Sequence, residues 1–222
     1  ENDGNFNVAF QGLRQPGSSL KPIIYASLFE KGFVPESILF DTETEFDTTE
    51  IPENSYKPQN YTGTFRGPTD IRHALSQSIN IPAVKALYLS GLNNALKTAN
   101  NFGLKTLTEK GRYGLSLVLG GGEVTLFDLV GAYSVFSQEG TKRDQKLILE
   151  ISDKKRVLEK YQENNGKSIM DSIYTNMITD ILSDGDARRQ IFGNSLDLPN
   201  LPDYQIAVKT GTSNDYKDAW TV

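Results

Sequence analysis

An apolar run from Ile23 through Tyr25, Ala26, Leu28 and Phe29 to a stop at Gly32 is entered by Arg14-Gln15-Pro16-Gly17-Ser18-Ser19-Leu20-Lys21-Pro22. Gly and two Ser residues ahead of such a run read as a loop entering a helix, and the rest of the chain is organised around this stretch. Ser18 and Lys21 stand three apart, which on a helix puts both side chains on one face with the amine within reach of the hydroxyl. At a first helical turn, unpaired backbone N–H groups also favour an oxyanion. Ser-x-x-Lys alone is equally satisfied by a Ser18 N-cap and a solvated Lys21, so its meaning depends on what accompanies it.

Composition narrows the company it can keep. The 222 residues, 37% hydrophobic and 23% charged, suffice for a packed core in one large domain or two small ones. A net charge of −5 and the lack of a Lys/Arg block argue against a nucleic-acid partner. There is no cysteine, which removes a thiol nucleophile, a disulfide scaffold and thiolate metal sites. Neither a membrane-spanning run nor a signal-peptide pattern appears in the sequence.

Along the chain, residues 5–10 read as a short strand or extended lead-in, and residues 33–68 as a long irregular segment with turn chemistry at Tyr56 to Gly63. Thr69-Asp70 caps a helix through Leu75; Pro82 opens a second that closes at Gly91; a third runs from Asn93 to Phe102 and stops at Gly103. Ser78 and Asn80 thus lie on a connection between helices, as two ordinary caps or as site residues. The Gly120-Gly121-Gly122 run lacks a phosphate-loop pattern and reads as a flexible connector ahead of a helix from Leu126 to Gln138. A hairpin is expected over 145–161 and an amphipathic helix from Ser168 to Leu182 with Gly185 just beyond it. A Pro/Asn-rich loop at 193–203 leads to a strand from Tyr204 through Thr212, and Asp218 begins another.

Three individually weak signals therefore occur in one order: Ser18-x-x-Lys21, Ser78-x-Asn80 and Lys209-Thr210-Gly211. Together they form the signature of active-site serine β-lactamases and penicillin-binding proteins. Further strings agree, among them Arg14 to Pro22, Ser78-Ile79-Asn80-Ile81-Pro82-Ala83-Val84, Leu119 to Thr125, Lys209-Thr210-Gly211-Thr212 and Asp218-Ala219-Trp220. Over nearly its whole length the chain resembles the transpeptidase module of class A, bifunctional penicillin-binding proteins, in the serine β-lactamase/DD-peptidase superfamily. It departs from that pattern at Val208, where Gly often precedes the Lys, and at Asp184 to Arg189, which lacks a Gly-Thr-Gly turn.

The resemblance implies an α+β fold of the β-lactamase/DD-transpeptidase type, with helices packed on an antiparallel sheet. It also implies that residues 1–222 are one partial domain lacking flanking strands at both ends, poorly stable and weakly active or inactive by itself. The only histidine, His73, falls in a helix, so no Ser-His-Asp triad is available and a lysine must act as base. Burial and a second cation, Lys209, would disfavour the Lys21 ammonium. On this reading Ser18 is the nucleophile, Ser78 relays the proton and Asn80 holds the substrate amide. Backbone N–H groups of Ser18 and Thr212 form an oxyanion hole, Gly211 lets substrate lie along the strand, and Lys209, Thr210 and Thr212 bind a terminal carboxylate.

The implied activity is peptidoglycan D,D-transpeptidation of stem peptides, inhibited by β-lactam antibiotics, on the extracytoplasmic face of a bacterial membrane. No metal or cofactor is called for. An anchor and a glycosyltransferase domain would lie outside this chain. A D,D-carboxypeptidase and a non-turnover β-lactam sensor or scaffold are the alternatives. A class A lactamase is disfavoured, since no Glu after Ser78 has an Asn four residues on.

Overall fold

The computed structural model describes residues 3–46, 55–108, 113–194, 203–213 and 216–222. Its core is built around helix α2 (Lys21–Phe29), all nine residues of which are buried. A helix apolar on every side must be enclosed, and α2 is: it packs against α3 (Ile71–Ser76), α4 (Asn80–Ser90), α5 (Leu92–Phe102) and α7 (Ser172–Ser183). The expected mixed architecture of helices and antiparallel strands is borne out. The strands are short and hydrogen-bonded in pairs: β1 (Ile38–Asp41) with β2 (Gly67–Asp70), β3 (Thr141–Lys142) with β6 (Lys167–Ser168), β4 (Glu150–Ser152) with β5 (Val157–Lys160), and β7 (Thr210–Thr212) with β8 (Ala219–Thr221).

The capping signals read from the sequence operate as expected. Asp70 Oδ1 accepts from His73 N at 2.8 Å to start α3, and Gly103, left-handed at φ 115°, ends α5. A further cap, beyond those signals, starts helix α6 (Leu126–Ser137): the Thr125 hydroxyl accepts from Asp128 N at 3.0 Å.

Several local expectations need correction. Residues 5–10 form no strand, because the Asn7 side chain caps a helical turn, α1 (Val8–Gln11). The irregular segment 33–68 contains β1 and the start of β2, whose antiparallel register pairs Ile38 with Asp70. Helix α7 starts at Ser172 and not at Ser168: Ser168 is taken into the β3–β6 pair and Asp171 supplies the cap through Ile173 N at 2.9 Å. Ile173 is accordingly exposed, while Ile178 and Ile181 face the core. Gly185 does not end a helical region; Asp184 caps a further helix, α8 (Gly185–Phe192), through Ala187 N at 2.9 Å. Residues 204–208 form no strand, the ladder beginning where Lys209 and Val222 exchange hydrogen bonds of 2.9 and 3.0 Å. The Pro/Asn-rich loop expected at 193–203 lies largely outside the described residues.

The triple glycine is also not a flexible connector. Gly120, at φ 94°, packs so closely on Gly17 that a Cβ there would lie 2.3 Å from Gly17 N. Gly17 itself is left-handed at φ 56°, and a Cβ on it would lie 2.2 Å from Thr212 O. The 3₁₀ turn Gly17–Leu20 is thereby clamped between Gly120 and β7, with backbone approaching backbone on both sides.

Two glycine substitutions separate the cost of the backbone conformation from the cost of the collision. Gly32→Ala, at φ 92° with open space around it, is expected to lose about 1 kcal/mol of unfolding free energy. Gly17→Ala should lose about 3 kcal/mol, since Thr212 must also move. Urea denaturation of both variants checks this; equal losses would mean that Gly17 is required only for its dihedral angle.

Candidate active site

The 3₁₀ turn places Ser18 and Lys21 one above the other, because side chains three apart eclipse in that geometry. Ser19 points the other way: it is buried, and its hydroxyl donates to Pro16 O at 2.6 Å. The turn is fastened from outside as well. Arg14 and Val124 exchange backbone hydrogen bonds at 2.9 Å, Trp220 Nε1 of β8 donates to Gln15 O at 2.9 Å, and Tyr133 of α6 donates to Ser19 O at 2.6 Å.

Ser78 comes from the connection between α3 and α4, and Asn80 is the first residue of α4. Ser78 sits at φ 59°, an uncommon conformation for a residue with a side chain, which holds it apart from both helices. Its hydroxyl is the meeting point of the two lysines: Lys209 Nζ donates to it at 2.8 Å and Lys21 Nζ at 3.4 Å. Lys21 Nζ further donates to Ser78 O at 2.6 Å, Asn80 Oδ1 at 2.8 Å and Ile79 O at 3.3 Å, and Lys209 Nζ to Thr210 O at 2.9 Å.

Both amines are enclosed, Lys21 at 0% and Lys209 at 3% exposure. Burial and, after it, the charge of Lys209 hold the Lys21 amine well below the usual lysine range. Burial also brings Lys209 down to about 7. The Ser18 hydroxyl has no hydrogen-bond partner among the described residues, and the Lys21 amine is turned onto residues 78–80 instead.

Strand β7 forms the opposite wall. Since Lys209 and Val222 form a hydrogen-bonded pair, alternation along the ladder turns the N–H groups of Thr210 and Thr212 away from β8, toward the turn that carries Ser18. Gly211 is demanded by the protein itself: a Cβ there would lie 2.3 Å from Pro16 O and 2.9 Å from Ser19 N. The expectation that this glycine makes room for a substrate thus meets a nearer reason, the approach of β7 to the turn.

All eight sequence-predicted residues converge on one place. Ser18, Ser78, Asn80, Thr210, Gly211 and Thr212 line a cleft of about 530 Å³, and the two lysines stand behind Ser78 in its wall. The sequence reading missed the rim. Tyr61, 82% exposed, and Tyr216, 70% exposed, join hydroxyls at 3.1 Å beside the cleft. Ile191 and Phe192 enter from α8, a helix whose local signal is the Asp184 cap. His73 takes no part; it is exposed, with Nδ1 2.7 Å from Asp70 Oδ1. Among the described residues no His/Cys/Asp/Glu cluster suited to a metal occurs, and no helix is long and apolar enough to cross a membrane.

The chain is similar to penicillin-binding protein 1A of Aquifex aeolicus, at 33% identity over 98% of this chain, and of Pseudomonas aeruginosa, at 27% over 97%. It spans only 28% and 32% of those two relatives. Its fold matches the crystal structure of penicillin-binding protein 1A from Haemophilus influenzae with a TM-score of 0.81, at 24% identity over 99% of this chain and 37% of that one. Penicillin-binding protein PonA1 of Mycobacterium tuberculosis gives 0.80, at 21% identity over 100% of this chain and 60% of that one. The family model described as penicillin-binding protein transpeptidase domain matches residues 2–220, and the chain belongs to that family.

Proposed function

We propose that this chain is the acyl-transfer domain of a peptidoglycan D,D-transpeptidase acting outside the cytoplasmic membrane of a bacterium, and that β-lactams acylate the same serine. The observation that carries the reading is the convergence of two buried lysine amines on the Ser78 hydroxyl within the cleft that holds Ser18.

In the first step a neutral Lys21 accepts the Ser18 proton while Oγ bonds to the penultimate D-alanine carbonyl carbon of a stem peptide. The carbonyl oxygen becomes an oxyanion between the N–H groups of Ser18 and Thr212, whose approach is fixed by the Gly17 contact. The proton then passes from Lys21 through the Ser78 hydroxyl to the leaving nitrogen, the C–N bond breaks, and terminal D-alanine departs. Lys209, when charged, faces the substrate carboxylate together with the Thr210 and Thr212 hydroxyls. An amine of a second stem attacks the resulting ester; its proton returns along the same relay and Ser18 is regenerated. With a β-lactam the cleaved amide nitrogen stays tethered, leaving a stable ester.

Mass spectrometry after incubation with a penicillin tests the nucleophile. The adduct is expected on Ser18, to vanish in Ser18→Ala and to persist in Ser19→Ala. Mapping to Ser19 would overturn the assignment.

Lys21→Arg is expected to abolish acylation with the fold retained, because guanidinium keeps its proton at any working pH. Acylation of this variant at the original rate would require another base.

The acylation rate should be bell-shaped in pH, with apparent limits that belong to the coupled pair. Activity needs neutral Lys21, so it falls as acid protonates that amine. It also needs charged Lys209, so it falls as pH rises through about 7. Removing the Lys209 charge by Lys209→Met should erase the alkaline limb. It should also move the acid limb to higher pH, since Lys21 loses the neighbour that disfavours its charge. An acid limb that stays in place would show that the two amines do not couple.

A further inference from the structure

Helix α4 starts at Asn80 without a side-chain cap of its own, since Ile79 at the cap position has no acceptor. First-turn N–H groups left in that state need a partner. Asn60, from the loop ahead of β2 and 8% exposed, provides it: its Oδ1 accepts from Asn80 N at 3.1 Å and Ile81 N at 3.2 Å. Its Nδ2 donates to Asp41 Oδ1 at 2.7 Å and to Thr64 O at 2.8 Å. Both donors and both lone pairs of the amide are therefore used.

Asp41, at the end of β1 and 0% exposed, accepts from Arg66 N at 3.0 Å through its other oxygen. Its charge also faces the Tyr25 hydroxyl of α2 and the Lys85 ammonium of α4. The carboxylate decides which way round the Asn60 amide sits. Reversed, the amide would present its NH₂ to two N–H donors and its oxygen to a carboxylate. The adjacent Gln59 O accepts from Asn80 Nδ2 at 2.9 Å. Consecutive residues thus grip Asn80 by its backbone and by its side-chain NH₂, leaving Oδ1 aimed at Lys21 Nζ, 2.8 Å away.

We infer that Asp41 and Asn60 are positioning residues for acyl transfer, setting Asn80, and through it the Lys21 amine, without touching the substrate. The inference rests on the acyl-transfer reading above. Neither residue belongs to the three motifs that define the site, and both lie on the segment that sequence patterning left as irregular. A displacement of the order of 1 Å in a catalytic group can cost about a hundredfold in rate, so such a grip is felt in the chemistry and not only in the fold.

The test follows labelling by a fluorescent penicillin, recording both the rate constant at saturating label and the final fraction of chains labelled. Asn60→Asp sets an oxygen against Asp41 Oδ1 where a donor stood, and should slow the rate constant by at least about tenfold while folded chains still label to completion. Adding Asp41→Asn restores a donor facing an acceptor at that contact and the original net charge, while Thr64 O still meets an oxygen, and should speed the rate constant at least about threefold over Asn60→Asp. Asn60→Ala should be slow in the same way.

A merely structural role would lower the labelled fraction and leave the rate constant alone, and that result, or a double variant no faster than Asn60→Asp, overturns the inference. Should the variants fold poorly, amide hydrogen exchange in the unaltered protein decides: slow exchange at Asn80 and Ile81 N–H is expected, and fast exchange overturns it. An unaltered protein that melts cooperatively, and so is folded, yet takes no label overturns the acyl-transfer reading and this inference with it. Normal labelling by every variant overturns this inference alone.

Discussion

The enclosure of the Lys21 amine inside the protein is the constraint from which the rest of the site follows. Taking an ammonium out of water costs several kcal/mol even after relaxation, so a buried lysine must either find acceptors or give up its proton. Here it does something of both. Four oxygens of residues 78–80 surround the amine, while burial and Lys209 lower its proton affinity. A neutral amine donates two hydrogens and keeps a lone pair, and the proposed role of base draws on that state. Had Lys21 been solvated at the same three-residue spacing from Ser18, it would be charged at neutral pH and no base at all.

Keeping that amine enclosed requires backbone to approach backbone closely from two sides. Gly17, Gly120 and Gly211 permit the 3₁₀ turn, the 120–122 segment and β7 to close around Ser18 without side chains between them. The close fit brings the backbone N–H groups of β7 to the turn that carries Ser18 and leaves Ser19 no place except inward, against Pro16 O. The same glycines that look like flexible punctuation in the sequence are points of rigid contact in the fold.

The second wall depends on polar groups supplied from far along the chain. Residues 78–80 carry a left-handed Ser78 and an uncapped helix start, two local weaknesses in adjacent turns. Asn60 and Asp41 make up the missing hydrogen bonds from behind, and Gln77, itself buried, donates to Ala187 O of α8 at 2.7 Å. Helix α3 is tied to the same region by Arg72, which reaches Asp180 at 2.7 Å and Asp184 at 3.3 Å. The strained connection is held by its neighbours, as polar loops that carry reactive groups must be.

Much of this was written locally. The side-chain cap at Asp70, the glycine stops at 91 and 103, and the three short motifs are all matters of a few adjacent residues, so the helices around the site and the eight residues proposed for it could be named from the sequence. Where two local signals competed, tertiary partners chose between them. Ser168 went to a strand pair and not to α7, and Gly185 opened a helix where glycine more often closes one, because Asp184 offered a cap. Nothing local could show that Lys21 and Lys209 meet at one hydroxyl, that Tyr61 and Tyr216 touch at the rim, or that Asn60 caps a helix it does not adjoin. Those contacts join residues from 20 to 188 positions apart, and those of Lys21, Lys209 and Asn60 draw their strength from burial. The sequence by itself determined which groups are available to react; only the packing of distant segments decided how close they stand and how little water surrounds them, and so which of them can give up a proton.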